Sequence, residues 1–444
     1  MTNNALAFVL EKYNKGSISV LIGTIETDGR FDDLEIHLLK PRLNLSEQVE
    51  ALAVSHEKVV VGFSFTTPNV LEVFDAVQLM RNHLESQRLG NVVLVAGGPH
   101  PSGDWRQTLK MGFDIVVIGE GERSFPELLA SLYNGTDFRH IRGLACKRGS
   151  ETLFTGRSER VENLDDYPPF AERFGLFSPI EITRGCPWAC KFCQATFLLG
   201  GRMRHRSIEN IVKWVEISSQ RDLWDIRFVT PDALAYGSDG KNPRPDILAE
   251  MLKAVNAVVG KEHTYLGSFP SEVRPDSVSK EAVELIRQYA ANDNIIIGAQ
   301  SGSQKMLDIS HRGHTVEDIY QAVQITLEAG LIANVDFIFG MPGETKKDRE
   351  LTIKVIEDLT TMGARVHSHT FMPLAGTPWA NTPAGRVDKK TRKLLNSLAG
   401  KGQQYGQWRK QQEAARAIIR FRKAMLDDKT AMTEVSPRLS RSEE

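Results

Sequence analysis

The sequence predicts an α/β protein in two parts, a Rossmann-like N-terminal domain and a partial (β/α)6 barrel, followed by a helical C-terminal extension. Three observations predict it. From residue 5 to residue 133, short apolar runs alternate with helix-length amphipathic stretches, the pattern of βαβ units on a parallel sheet. After a polar stretch the alternation resumes and repeats six times between residues 180 and 372. Beyond Pro383 the chain becomes charged, helical in period and strand-free.

In order, the first part offers strands over 5–10, 34–39, 59–65, 92–96 and 115–118, with helical patterns over 18–25, 70–89 and 125–133. The third, fourth and fifth strands run into the polar or glycine-rich turns SFTTPN, GGPHPSG and GEGER. Ligands of open α/β sheets bind beyond the carboxyl ends of the strands, so this half reads as a binding domain. A polar linker over 147–177 contains Pro168-Pro169, which stiffens or breaks the chain. Strands over 180–183, 226–230, 264–268, 295–299, 335–339 and 366–372 then alternate with helices over 208–218, 245–258, 280–289, 315–329 and 347–362. The expected divisions are 1–145, 146–177 (linker), 178–383 and 384–444.

With 444 residues, 41% hydrophobic and 25% charged, the chain suits two cores plus an extension. A net charge of -1 excludes a nucleic-acid binder that works by bulk electrostatics. The balance hides a basic tail, with 15 Lys and Arg against 7 Asp and Glu from Arg386 onward. Its segment QWRKQQEAARAIIRFRKAM sets Ala414, Ile418, Phe421 and Met425 at helical spacing, a face expected to pack on the barrel. The start lacks the basic and apolar regions of a signal peptide. No apolar run approaches the roughly 20 residues that span a bilayer. A cytoplasmic protein without membrane or nucleic-acid partners is expected.

Three of the four cysteines fall within the segment EITRGCPWACKFCQ, as Cys186, Cys190 and Cys193. A C-x3-C-x2-C triplet after a predicted strand indicates soft-metal ligation in a reducing compartment. Thiolates suit an iron–sulfur cluster or zinc. Structural zinc requires four closing ligands, which here means recruiting a distant His. Three thiolates on a four-iron cluster instead leave one iron open to a chelating substrate. Cys146 reads as a small buried apolar residue.

The triplet, its position at the end of the first barrel strand and the aromatic Phe192 before the last Cys resemble the radical SAM superfamily. The resemblance implies a [4Fe-4S] cluster whose open iron is chelated by S-adenosylmethionine (SAM), and reductive cleavage to a 5′-deoxyadenosyl radical. VTPDALAYG follows the second strand, where the family recognises the methionine amine, with Pro231-Asp232-Ala233 in place of the usual Gly-Gly-Glu. GSFPSEVRP offers Glu272 and Arg274 for the ribose hydroxyls and SAM carboxylate, and IGAQSGS offers Gln300 and Ser301. FIFGMPGET, around Gly340 and Gly343, resembles the adenine-side loop; FMPLAGTPW, with Met372, resembles the closing strand. Loops at the strand C-termini of such a barrel converge on one site. Glu272 as an ion-pair partner and Gln300 as a structural amide are the alternatives.

The upstream turns resemble the flavodoxin-like cobalamin-binding domain that precedes many radical SAM cores. The resemblance assigns Gly97, Gly98, Gly119 and Gly121 to close backbone approach to cobalamin, and Ser64, Thr66 and Thr67 to its tail or corrin amides. Glu120 and Glu122 divide between cofactor contacts and ordinary solvated carboxylates. The Asp-x-His-x-x-Gly loop that supplies an axial histidine in other cobalamin proteins is replaced by SFTTPN. His100, in GGPHP, either contacts the ligand or the linker or caps its turn. The cluster RMRHRS (202–207) closes over cobalamin, binds a substrate carboxylate or forms a solvated loop.

Together these resemblances imply methylation of an unactivated carbon through the 5′-deoxyadenosyl radical and methylcobalamin. They also imply a small-molecule or peptide substrate and an electron donor such as flavodoxin or ferredoxin. The alternatives are a vestigial cobalamin domain on an enzyme of rearrangement or cyclisation, and a cobalamin- or SAM-sensing protein. A methylthiotransferase needs a second cysteine trio upstream, where only Cys146 stands.

Overall fold

The computed structural model describes residues 3–41, 43–148 and 151–426. Its first part contains strands β1 (Asn4–Val9), β2 (Glu35–Leu39), β3 (Lys58–Ser64), β4 (Val92–Gly97), β5 (Ile115–Val117), β6 (Leu144–Arg148) and β7 (Glu151–Phe154). They form one sheet in the order β2-β1-β3-β4-β5-β6-β7. The first five are parallel, and their order is the doubly wound 2-1-3-4-5 arrangement. Val59, Val60 and Val61 are all fully buried because helices cover both faces of the sheet. Helices α1 (Lys15–Glu26) and α6 (Gly121–Asn134) lie on one face, packing Ile18, Ile22 and Leu128 against Leu6 and Val60. On the other, α2 (Leu45–Ser55) and α3 (Val70–Ser86) pack Val49, Val77 and Met80 against Val59 and Phe63. Two short helices, α4 (Pro99–Gly103) and α5 (Trp105–Lys110), follow β4.

The sheet does not stop at residue 145. β6 pairs antiparallel with β5, and β7 with β6, so the first stretch of the expected linker belongs to the domain. Leu144, Cys146 and Leu153 face one core and Ala145 the other, too few to announce strands in a run that includes Lys147 and Arg148. Cys146 is buried there, as expected.

The second part holds β8 (Ile180–Glu181), β9 (Thr183–Arg184), α7 (Ala195–Leu199), β10 (Arg204–His205), α8 (Ile208–Gln220), β11 (Ile226–Val229), α9 (Pro245–Val259), β12 (Thr264–Tyr265), α10 (Lys280–Tyr289) and β13 (Asn294–Gln300). It continues with α11 (Gln304–Ile309), α12 (Val316–Glu328), β14 (Ile332–Phe339), α13 (Lys346–Met362), β15 (Arg365–Thr370), α14 (Lys389–Gly400), β16 (Gln404–Tyr405) and α15 (Trp408–Leu426). β8, β11 and β12 run parallel, a parallel bridge Val273–Ile297 leads on to β13, and β13 to β16 complete the arc. All six expected strands are present. The region beyond Pro383 is not strand-free, because Gln404–Tyr405 adds to β15 with no apolar run to mark it.

Nor does α15 rest on the barrel alone. Trp408 is buried in the barrel core, and its carbonyl accepts from Thr370 Oγ1 at 2.8 Å. Ile418, Phe421 and Met425 are buried among Val70, Val73 and Val77 of the first domain. Ala414 is half-buried; Ala415 is the fully buried alanine. The helix is a strap across both domains. Residues 427–444 of the basic tail lie outside the described residues.

Candidate active site

The cysteine loop follows β9. Gly185 has φ +90, and any Cβ there would meet the Arg202 carbonyl, so glycine is what lets the chain turn into the loop. Thr196 holds it from α7, its hydroxyl donating to the Cys186 carbonyl at 2.6 Å. Burial is the main cause that pushes the Cys193 thiol up to about 11, and Cys190, Cys186 and Glu272 add to it. Cys186 is raised too, chiefly by burial. Thiols held protonated by burial and mutual repulsion give up those protons when a metal supplies the countercharge. Among the described residues, the trios of His, Cys, Asp and Glu with all ligand atoms within 4.8 Å are two others.

A second loop, Ser310 to His314, wraps the first. Lys191 N donates to Ser310 O at 3.0 Å, and Arg312 Nη1 stands 3.6 Å from Cys190 Sγ. A Cβ on Gly313 would strike the Trp188 ring at 2.3 Å. Arg274 lies over the other part of this knot, its guanidinium 3.7 Å from the Trp188 ring centroid. One Arg274 nitrogen donates to Arg312 O at 2.6 Å, while Nε and Nη1 are buried without a partner. Orphaned guanidinium nitrogens beside the thiols suit a ligand carboxylate.

Gly298, on β13, is where the barrel groups meet. A Cβ there would lie 2.9 Å from Gln300 Nε2, 3.1 Å from Arg312 Nη2 and 3.2 Å from Glu272 Oε2. Burial drives the Glu272 carboxyl up to about 7, and Asp336 adds to the rise while Arg312 and His369 oppose it. Ala189, Gln300 and His311 all have φ between +51 and +71. Three left-handed non-glycine residues around one site mark backbone held by its surroundings.

The other expected residues separate. Asp232 is buried and accepts from Leu234 N, Arg274 N and Ser277 Oγ, tying the loop after β11 to the loop after β12. Ser301 is buried and bonded to the α13 side through Thr352. Gly340, φ +76, has the Arg386 amide 2.3 Å from where a Cβ would sit, so residues 385–386 close that loop. Phe192 packs with Met306, Met341, Phe371 and Trp379. Met372 packs on the core of the first domain.

Sequence reasoning missed Arg312, Trp188 and a trio in the barrel lumen. Asp336 on β14 and His367 and His369 on β15 hold their ligand atoms together, with His367 Nδ1 3.0 Å from Asp336 Oδ1. The signal was there in V-H-S-H-T, which alternates polar with apolar residues on a barrel strand and so turns both histidines one way. Gln411 of α15 accepts from Thr370 N and donates to His369 Nδ1 at 3.0 Å, which leaves the His369 proton on Nε2.

In the first domain, a cavity of about 330 Å³ opens at the carboxyl ends of β3, β4 and β5. Phe8, Leu21, Phe63 and Phe125 form its apolar wall, and Ser64, Gly97, Gly98, Gly119, Glu120 and Gly121 line it. A Cβ on Gly97 would meet nothing nearer than 3.9 Å, and one on Gly16 nothing within 4 Å, so these bare backbones keep space that side chains would fill. Gly16 and Ser17, at the start of α1, were not foreseen; Ser17 Oγ is 2.7 Å from Ser64 Oγ. Thr66 instead bonds Asn69. Thr67 bonds Ala375 N and His100 Nδ1. His100 is fully buried, stacks on Phe65 and is lowered to about 4 by burial, so it is neutral and set behind the strand ends.

The barrel closes this cavity with Glu181, Arg184 and Leu199. Glu120 pairs with Arg184 at 3.1 Å and Arg204 at 2.6 Å, and Glu122 with Arg184 at 2.6 Å. Burial alone would raise Glu120, but the Arg204 bond and Arg184 outweigh it and hold its carboxyl low. The two carboxylates are thus not solvated, and RMRHRS is not a solvated loop. Arg204 and Arg206 are buried in the seam, and Arg202 pairs with Glu162 at the surface. The sequence hid this because both partners' charges are spent across domains.

Residues 18–129 match the B12 binding domain and residues 180–356 the Radical SAM superfamily. The chain therefore joins a B12-binding domain to a radical SAM domain, whose cofactors are cobalamin, a [4Fe-4S] cluster and SAM. An uncharacterized methyltransferase of Pyrococcus horikoshii is 25% identical over 313 residues, 68% of this chain and 64% of the relative. A putative methylthiotransferase of Methanocaldococcus jannaschii is 28% identical over 255 residues, 56% of this chain and 54% of the relative. The chain thus spans less than two thirds of the length of these relatives. In fold it is similar to the radical SAM methyltransferase TsrM of Kitasatospora setae, a structure with cobalamin and [4Fe-4S] cluster bound. The TM-score is 0.67 at 16% identity, over 85% of this chain and 74% of that one.

Proposed function

We propose that this chain is a cobalamin-dependent radical SAM methyltransferase acting on an unactivated carbon of a small molecule or peptide. The observation that carries it is the shared seam. The cavity of the B12-binding domain is closed by Arg184 and Leu199, which flank the loop bearing Cys186, Cys190 and Cys193. When bound, the cofactors supply a radical that removes hydrogen and a methyl group for the carbon so exposed.

The chain's own part is to hold and insulate. Cys186, Cys190 and Cys193 ligate the cluster, with the Arg312 guanidinium beside Cys190 offsetting its negative charge. Arg274 offers its two unpartnered nitrogens to the SAM carboxylate, while Glu272 and Gln300 take polar groups of the nucleoside and the Gly340 loop its adenine side. Ser64, Gly97 and Gly98 let cobalamin approach backbone. Asp336, His367 and His369 form a hydrogen-bonded network on the two strands, with His367 Nδ1 3.0 Å from Asp336 Oδ1 and 3.1 Å from His369 Nε2, which presents polar groups to the substrate. The protein positions; the cofactors carry the hard steps.

A methylthiotransferase reading has relatives in its favour but lacks ligands, since the fourth cysteine, Cys146, sits inside a sheet. The test is anaerobic reduction of cluster-reconstituted protein with SAM, read as 5′-deoxyadenosine, beside a cobalamin titration read by absorbance. Both signals are expected. Absence of 5′-deoxyadenosine would leave a sensing protein, and absence of cobalamin binding a vestigial domain. An electron donor such as flavodoxin or ferredoxin completes the assay in place of a chemical reductant.

A further inference from the structure

Glu35 and His37 alternate on β2 and so share one face of the sheet's edge strand. His56, which ends α2, comes up against them. His37 Nε2 lies 3.4 Å and His56 Nε2 3.3 Å from the same oxygen, Glu35 Oε2. These are the edges of a tetrahedron about an ion with bonds of 2.0–2.2 Å, which are about 3.4 Å long.

The hydrogen bonds around the trio select the required tautomer. His56 Nδ1 is 2.9 Å from both the Leu52 carbonyl, which can only accept, and the Ser55 hydroxyl, which itself donates to Ala51 O, so a proton on Nδ1 serves both contacts. With Nδ1 so anchored, Nε2 is the ring atom turned toward the Glu35 carboxylate oxygen, at 3.3 Å. A ring nitrogen anchored to a backbone carbonyl, with the other aimed at a shared point, is how ligating histidines are oriented. His37 Nε2 is closed to solvent and has no hydrogen-bond partner. The His56 side chain is only 6% exposed and anchors the corner from α2, while the Glu35 carboxylate opens to solvent.

The lumen trio makes the contrast. There Gln411 donates to His369 Nδ1, so Nε2 keeps its proton and cannot ligate. One trio has the tautomer of a ligand set and the other that of a proton-holding network.

We propose that Glu35, His37 and His56 bind a divalent transition metal of zinc type, with water in the fourth position. The ion fastens the exposed edge strand β2 to the end of α2, and it lies apart from the cysteine loop. The probe is Zn2+ alone, titrated calorimetrically into the full-length chain carrying Cys186→Ala, Cys190→Ala and Cys193→Ala, so that the cluster ligands do not compete. One equivalent is expected. Glu35→Gln and His37→Gln should each weaken it at least about 100-fold, since losing even an outer-shell partner costs 10–100-fold; His369→Gln should leave it unchanged. Should the triple variant misfold, the cluster-bearing chain answers the same question through its thermal midpoint. Zn2+ should raise that midpoint, and Glu35→Gln should abolish the rise. Uptake indifferent to Glu35→Gln and His37→Gln, or no uptake and no thermal shift, overturns the site and leaves His56 and Glu35 a plain ion pair.

Discussion

The cavity of the first domain is walled by glycine backbone and apolar rings, and its carboxylates are already bound to barrel arginines. The mouth of the barrel is crowded with charge: Arg274 and Arg312 keep buried nitrogens without a partner, beside Glu272, Asp336 and two histidines. The first side is suited to a large cofactor held by shape. The second is suited to a small zwitterionic one held by charge. The difference teaches where mutations should hurt and which signal should report them.

The sharpest way to break the comparison is through the thiols. Replacing Cys186, Cys190 and Cys193 with Ala should abolish 5′-deoxyadenosine formation, yet leave cobalamin binding at the wild-type level in the absorbance titration. Next comes the seam itself. Glu120→Ala strands the buried Arg204 guanidinium, while Arg184 keeps Glu122 and Glu181, a loss of about 3–5 kcal/mol, measurable by denaturant unfolding. Because the folded Glu120 carboxyl is held low, its contribution is present above the ordinary carboxylate range and is lost as pH falls through that depressed value. The wild-type stability advantage over Glu120→Gln should therefore shrink in acid.

Filling the cavity should separate the two sides. Gly97 needs no left-handed backbone, so Gly97→Leu alters mainly space. Overpacking of about 1–3 kcal/mol should weaken cobalamin by roughly tenfold while 5′-deoxyadenosine formation persists. The smallest effect is a change of shape in a pH profile. With its carboxyl near 7, Glu272 is neutral below and ionised above that point, and an ionised carboxylate accepts hydroxyl hydrogen bonds better. SAM affinity should rise as pH passes upward through about 7, and Glu272→Gln should flatten the rise.

Legibility in the sequence followed the range of the interactions. The cysteine triplet was plain because its three ligands sit in eight consecutive residues, and the parallel strands because each buries a continuous run. Glu272, Gln300 and Arg274 could be named from their motifs, but their meeting at Gly298 could not. Arg312 was invisible because its partner, Cys190, is over a hundred residues away. Glu120 and RMRHRS divide in the sequence between ligand contacts and solvated charge, because charge in one segment says nothing of a counter-ion in another. Among the described residues, no helix is long and apolar enough to cross a membrane.

By itself, then, the sequence determined the two domains, their order and the cysteine loop. Those features depend on local periodicity and on donors close together along the chain. The tertiary structure alone decided that β6 and β7 complete the first sheet, that α15 straps the domains together, and that the cavity and the cluster loop share a seam. It also brought His56 up to Glu35 and His37, and Asp336 up to His367 and His369. Each of these depends on atoms brought together across long loops, where burial and hydrogen-bond geometry assign roles that residue type leaves open.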